Sequence, residues 1–277
     1  MDILYLVGPQ STNKYQDLRY SLRSIAKNGM NIDRVFVCGC CPDFLSDEVI
    51  KLEYLPDQSL PKTKKIFSQL LYAIYHTDIG MNHKGEFLLS MDDHIYVRKV
   101  DFDKYPFYVK NYTNRHYRYL LPNHLDYTKM SVDYQKILVN TYHFCVENEL
   151  NILNFVPHRN MHMNRNVFLN MMNDGIIDKY MNDPDEIEGL VVTLNYRLRY
   201  YPFKYELCND IKMDNPSKLH NILIKDKNIH CFSMNDFKLG SSMDRYLMGL
   251  FPNMCKYERY IHSIQWSIDS DGSGIES

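Results

Sequence analysis

Residues 2–39 read DILYLVGPQSTNKYQDLRYSLRSIAKNGMNIDRVFVCG, and the fold turns on how this stretch is divided. Asp2 to Gly8 is a short apolar run closed by glycine and proline, the pattern of a buried strand running into a loop. Leu18, Leu22 and Ile25 then recur at helical spacing up to Asn28 and Gly29, which reads as a helix with a C-terminal glycine stop. Asp33 to Gly39 is a second apolar run. Strand, helix and strand in this order predict a βαβ unit, because parallel neighbours need a crossover and that crossover is right-handed.

The pattern continues outward. VIKLEYL (49–55) is a third strand, PKTKKIFSQLLYAIYHT (61–77) a helix with Ile66, Leu70, Ala73 and Ile74 on one face, and GEFLLSM (85–91) a fourth strand. The expected class is therefore α/β, a doubly wound and mainly parallel sheet whose ligands bind beyond the carboxyl ends of its strands. From Asp101 the text becomes rich in Tyr and Asn and predicts an elaborated C-terminal half. One domain over residues 1–265 is expected, followed by a flexible polar tail over 266–277.

The chain has 277 residues, 45% hydrophobic and 24% charged, enough for one large core and unlike a disordered protein. A net charge of -2 supplies no global attraction to nucleic acid or anionic membrane. No apolar stretch reaches the ~20 residues that cross a bilayer, and MDILYLVGPQ lacks the features of a signal peptide, so a cytoplasmic protein is expected. The seven cysteines then read as reduced thiols. Cys38, Cys40 and Cys41 lack a second Cys/His pair at zinc-finger spacing, and SIDSDGSGIES ends before the glutamate a calcium loop requires.

The strongest chemical signal is FLLSMDDHIYV (87–97), where a buried strand stops at Asp92 and Asp93. Adjacent carboxylates repel and are costly to desolvate, so they call for a compensating cation or several donors. Mn²⁺ or Mg²⁺ suits hard oxygen ligands and leaves room for phosphate oxygens. The plainer reading of the dipeptide, two aspartates capping a turn, stays open at this point.

DLRYSLRSIAKN, DRVFVCG, PDFL, FLLSMDDHIYV, VDFDKYPFYVKN, NFVPHRNMHMNRNVF, CFSMNDF and LFPNMCKYE follow one another along the chain. In this order they resemble the glycosyltransferase-type core of the Stealth family of sugar-phosphate transferases and of related bacterial and phage GT-A glycosyltransferases. The likeness spans residues 2 to 260. It departs at the first strand, which in Stealth proteins usually reads like IDVVYTWV, and at HRN (His158, Arg159, Asn160), where relatives often carry HxP. The resemblance implies a GT-A-like fold with a nucleotide-sugar-binding half (1–100) and an acceptor-side half (101–265). It implies a nucleotide diphosphate sugar as donor, Asp92 and Asp93 as metal ligands, His158 near the donor or metal, and His230 as a rival ligand.

Roles for other residues follow from charge. Val7, Gly8 and Pro9 end the first strand and are expected to line the donor crevice. Arg19 and Arg23, four apart on the first helix, suit bidentate contact with a diphosphate, or else form a solvated helix face. Lys62, Lys64 and Lys65 open the second helix, where positive side chains oppose the dipole and need a local reason. Lys62 and Lys65 are taken as donor-binding, and Asp92 as shared between metal and nucleotide. For a general base the candidates are Asp185, Glu186 and Glu188 in DPDEIEG and Asp236 in SMNDF. NYRLRYYPFKYE interleaves cations with aromatic rings, which suits a nucleic-acid acceptor, a sugar platform or an edge strand. The leading expectation is a metal-dependent glycosyltransferase acting on a glycan or other polymer. The alternatives are a phage-type enzyme acting on modified DNA bases, a sugar-1-phosphate transferase and a nucleotide-sugar-binding module.

Overall fold

A computed structural model of the chain describes residues 1–9, 14–110, 120, 131–155, 159–208, 212–227, 229–234 and 237–260. Along the chain lie β1 (Asp2–Val7), α1 (Gln16–Asn28), β2 (Gly29–Met30), β3 (Val35–Gly39), β4 (Val49–Glu53), α2 (Lys62–His76) and β5 (Glu86–Ser90). There follow β6 (His94–Tyr96), β7 (Val100–Asp101), β8 (Phe107–Lys110), α3 (Val132–Glu147), β9 (Met161–Asn164), α4 (Arg165–Asn173) and α5 (Ile176–Asn182). The described chain closes with α6 (Gly189–Tyr200), β10 (Tyr205–Cys208), α7 (Pro216–Lys225), β11 (Cys231–Ser233) and α8 (Ser242–Leu250).

Every residue of β1 is buried, so both faces of the strand need cover. Side chains alternate between faces. Leu4 and Leu6 pack with Phe36, Cys38, Phe87 and Leu89 against Phe67, Leu70, Ala73 and Ile74 of α2. Ile3, Tyr5 and Val7 pack with Val35, Val37 and Leu88 against Leu18, Leu22 and Ile25 of α1. The two helices thus cover opposite faces, as the doubly wound reading requires.

The central sheet has the order β4-β3-β1-β5-β9. The first four of these strands are parallel and β9 is antiparallel to β5, with Leu89 opposite Met161. An α/β protein with a mostly parallel sheet is therefore what the chain forms. From β1 the chain winds outward to β3 and β4, then returns through α2 to β5 on the other flank of β1. The direction of winding reverses between β1 and β5, and a crevice opens outside the carboxyl ends of strands at such a point. Gly39 lets β3 and β1 end side by side: its φ is 118°, and a Cβ there would lie 2.1 Å from the Val7 carbonyl oxygen.

A further layer covers α1. β6 and β11 form an antiparallel ribbon, with Ser233 opposite His94 and Cys231 opposite Tyr96. Ile95 and Phe232 on its outer face pack with Leu219 of α7 and with Met243 and Leu247 of α8. α1 meets the ribbon through a buried polar stripe. Ser21 Oγ donates to the His94 carbonyl (2.6 Å), Tyr96 N–H to Ser24 Oγ (3.0 Å), and Asn28 Nδ2 to the Tyr96 carbonyl (2.6 Å). The helix thereby satisfies ribbon backbone that would otherwise be buried without partners.

The sequence left LNYRLRYYPFKYE between several readings, and the structure divides it. Residues up to Tyr200 belong to α6, and a strand starts only at Tyr205. Gly189 to Arg197 are all buried, and a helix enclosed on every side carries no clean amphipathic period. The tail after residue 260 lies outside the described residues.

Candidate active site at the β1–β5 switch point

Asp92 and Asp93 occupy the turn between Ser90, where β5 ends, and His94, where β6 begins. The turn is held from both directions, by the central sheet through β5 and by α1 and β11 through β6. Burial pushes the Asp92 carboxyl well above the usual carboxylate range, the charges of Asp17 and Asp93 push it further, and Lys62 opposes them. Asp17 is buried in the first turn of α1, so that end of the helix faces the aspartate pair. The negative charges of Asp17 and Asp93 both act on Asp92, and a hard divalent cation is the kind of partner that offsets charge on carboxylate oxygens.

Lys62 reaches the same crevice from the first turn of α2. Pro61 precedes that helix and offers no side-chain cap. The Thr63 N–H is instead taken by Glu186 Oε1 (3.3 Å), which also accepts from Thr63 Oγ1 (3.1 Å). A carboxylate there satisfies an orphan donor and complements the helix dipole. Lys64 Nζ donates to the carbonyls of Met181 (3.2 Å) and Asp183 (2.5 Å) and clamps the same loop to α2. Lys62 itself is exposed and makes no hydrogen bond or ion pair among the described residues.

The clamped loop delivers Glu188 to the start of α6, where its N–H donates to Thr141 Oγ1 (2.9 Å). Burial pushes the Glu188 carboxyl up to about 7, with the Glu186 charge adding to the effect and Lys62 opposing it. Lys62 therefore acts on both Asp92 and Glu188, which ties the three into one electrostatic neighbourhood. Of the acids in DPDEIEG, Glu188 is the one poised to exchange a proton near neutrality. Glu186, expected as a base, is committed to Thr63. Asp185 is exposed on a turn, where its N–H donates to Asp183 Oδ1 (2.9 Å).

The arginines expected at a diphosphate are engaged elsewhere. Arg23 grips Glu258 through Nε (2.7 Å) and Nη2 (2.9 Å), and Arg19 Nη1 reaches the same carboxylate (3.1 Å). The Glu258 side chain is 0% exposed, so this is an internal ion cluster that ties the C-terminal segment to α1. Lys65 donates to the Gln58 carbonyl (3.2 Å). Val7 is buried, its carbonyl taken by Cys40 N–H (2.9 Å), while Gly8 and Pro9 are exposed beyond the strand end.

His230 precedes β11 by one residue and is out of phase with Cys231 and Ser233, which share a ribbon face with His94 and Tyr96. No group of three candidate ligands that includes Asp92, Asp93 or His230 comes together among the described residues. His230 is thus not brought to the aspartate pair. The cluster that does form, Asp2, Asp33 and His83 within 4.8 Å, lies at the opposite end of the sheet. There Arg34 already holds Asp2 through Nε (3.1 Å) and Nη2 (2.7 Å), occupying the place a cation would take. His158 and Asp236 lie outside the described residues, as do residues 10–12 of the loop after β1.

The first part of the basic-aromatic stretch turns inward. Arg197 binds Glu86 through Nη1 (2.9 Å) and Nη2 (2.6 Å) and lies over the rings of Phe107 and Phe203. Arg199 pairs with Glu149 (3.0 Å), and Tyr196 donates to Asp174 (2.6 Å). Arg197 and Tyr196 are spent on internal bonds, while Tyr200, Tyr201 and Lys204 are exposed. His162, in the same region, is buried with Nε2 on the Tyr105 carbonyl, and burial lowers its pKa to about 4.

Sequence reasoning overlooked Asp17 and gave His94 and Asn160 no role. Asp17, Ser21, Ser24 and Asn28 recur at helical spacing inside an otherwise apolar face, and that polar stripe was the available signal. In the described chain no helix is long and apolar enough to cross a membrane. Comparison of the chain with known proteins found no family model and no curated relative that matches it.

Proposed function

We propose that this protein is a metal-dependent glycosyltransferase that moves a sugar from a nucleotide diphosphate sugar to a glycan or other polymer acceptor. The observation that carries the reading is the aspartate pair at the carboxyl end of β5, with Lys62 close enough for its charge to act on both Asp92 and Glu188.

Asp92 and Asp93 would hold a Mn²⁺ or Mg²⁺ ion, with Asp17 behind them adding negative charge. Few protein ligands suffice, since such ions keep positions for substrate phosphates. When bound, the ion neutralises charge on the departing nucleotide diphosphate. Lys62, exposed and uncommitted, would bind the donor phosphates from the first turn of α2. Glu188 takes the proton of the acceptor hydroxyl at a carboxylate oxygen, a transfer suited to a group whose pKa lies near working pH. A base of this kind serves an inverting transfer.

The deciding experiment is a thermal-shift screen of UDP-, GDP- and dTDP-sugars with and without Mn²⁺. A ligand that binds only the folded chain raises its apparent stability by mass action. A shift that needs both the metal and one nucleotide supports the reading. A flat response to every nucleotide in the presence of Mn²⁺ removes it.

A further inference from the structure

Lys27, Arg98, His220 and Lys227 line one cavity of about 260 Å³, where the C-terminal ends of α1, α7 and α8 meet the residues that follow β6. Leu223, Tyr246, Leu250 and Phe251 supply an apolar wall, and no acidic side chain lines the cavity. We infer that it binds a phosphate monoester carried on an apolar body, at a site separate from the aspartate pair. The aspartates precede the first residue of β6, and Arg98 lies two residues beyond its last. The inference does not depend on the transferase reading.

Charge is the first argument. Arg98 spends its donors on main-chain carbonyls, Nη1 on those of Asp226 (2.8 Å) and Ile229 (3.0 Å) and Nη2 on that of Leu223. Lys27 Nζ donates to the Leu250 carbonyl (2.9 Å) and lies 5.4 Å from the centre of the Phe251 ring. Neither these two cations nor Lys227 pairs with a carboxylate among the described residues, whereas Arg19, Arg23, Arg34 and Arg197 each do. Each helix C-terminus offsets about half a positive charge, so three permanent cations leave the cavity net positive. A dianion answers that surplus, and lysines meet phosphate as point charges.

Shape is the second argument. The volume falls just below the ~300–1,000 Å³ of pockets for drug-sized ligands, so the occupant is small. Lys27 and Lys227 are exposed at the rim while Phe251 is buried and Leu223, Tyr246 and Leu250 are half-buried. An inorganic ion would use the rim and leave this wall wet. An ester whose organic part covers the wall gains from apolar burial as well as from charge.

The test is calorimetric titration of the full chain with phenyl phosphate and, for comparison, inorganic phosphate, alongside co-sedimentation with phosphatidylcholine vesicles with and without phosphatidic acid. Phenyl phosphate is expected to bind at least about tenfold more tightly than inorganic phosphate. Lys27→Met combined with Lys227→Met should weaken it by about tenfold or more, and so should Ile224→Glu, which sets a like charge on the rim. Lys104→Met combined with Lys136→Met removes two equal charges elsewhere and should stay within about twofold of wild type. All five positions are exposed, so the variants are expected to fold. Phenyl phosphate binding that the cavity variants lose supports a soluble ester, and vesicle binding that needs phosphatidic acid and is lost in the same variants supports a lipid headgroup. The inference is overturned if neither phenyl phosphate nor the vesicles bind, if phenyl phosphate binds no better than inorganic phosphate, which is an adventitious ion only, or if the cavity variants bind like wild type.

Discussion

The Ser21 hydroxyl donates a 2.6 Å hydrogen bond to the carbonyl of His94, so the first helix directly holds the residue that follows the aspartate pair. Tyr5 Oη lies 3.0 Å from the same hydroxyl and extends the link into β1. The turn that carries Asp92 and Asp93 is thus held by a polar helix side chain set in an otherwise apolar face. Ser21→Ala leaves the His94 carbonyl short of a buried donor, at a cost of about 1–3 kcal/mol. A lowered midpoint in urea unfolding is the expected result, with a larger loss of activity than of stability.

Removing an aspartate of the pair is expected to abolish the Mn²⁺-dependent activity. Charge neutralisation by the ion is worth several kcal/mol, so Asp93→Ala should lower donor hydrolysis by on the order of 10³-fold. Hydrolysis of the donor followed by nucleotide release checks this. The fold is expected to be retained, since deleting Asp93 relieves repulsion on Asp92.

Glu188 should govern the pH dependence. With a carboxyl at about 7, kcat/KM rises with pH through that value as the base loses its proton. Glu188→Gln should lose the limb and about 10²–10⁴-fold in rate. Lys62→Met should move the limb upward, because the ammonium that held the carboxyl down is gone, and should raise KM for the donor. Stability moves the other way: a folded pKa above the unfolded one means stability is lost between pH 4.5 and about 7, so Glu188→Gln should be more thermostable than wild type at pH 8.

The Arg23–Glu258 pair should behave as a structural element. Glu258→Ala strands two half-buried guanidinium groups, and the cost of about 3–5 kcal/mol for breaking a fully buried pair is the upper bound on the loss. Arg23→Met is expected to lower the unfolding midpoint while leaving KM for the donor within about twofold, measured by calorimetry and steady-state kinetics. A large rise in KM with no loss of stability would return Arg23 to the diphosphate.

His162 adds an acid-sensitive term. Its pKa is lowered to about 4 by burial, so the folded chain resists its protonation while the unfolded chain does not. Stability is therefore complete above about pH 6.5 and falls by up to about 1.4 kcal/mol per pH unit toward pH 4. Denaturant midpoints of His162→Phe should be flatter than wild type over that window.

Local pattern alone determined the parallel strands of the sheet and the helices between them. The apolar runs at Asp2–Val7, Val35–Gly39 and Glu86–Ser90 and the helices between them are written in period and punctuation, because burial on both faces demands continuous apolar strands. The same pattern put Asp92 and Asp93 at a strand end, and that much of the site was legible. What the tertiary structure decided was which charges remain uncommitted. Arg19, Arg23, Glu186, Arg197 and Lys62 are alike as text, yet all but Lys62 are engaged by partners far away in sequence. The antiparallel β9 and the fully enclosed α6 were hidden for the same reason. Ion pairs and hydrogen bonds between distant segments depend on distance in space, and the spacing of residues along a chain carries no record of it.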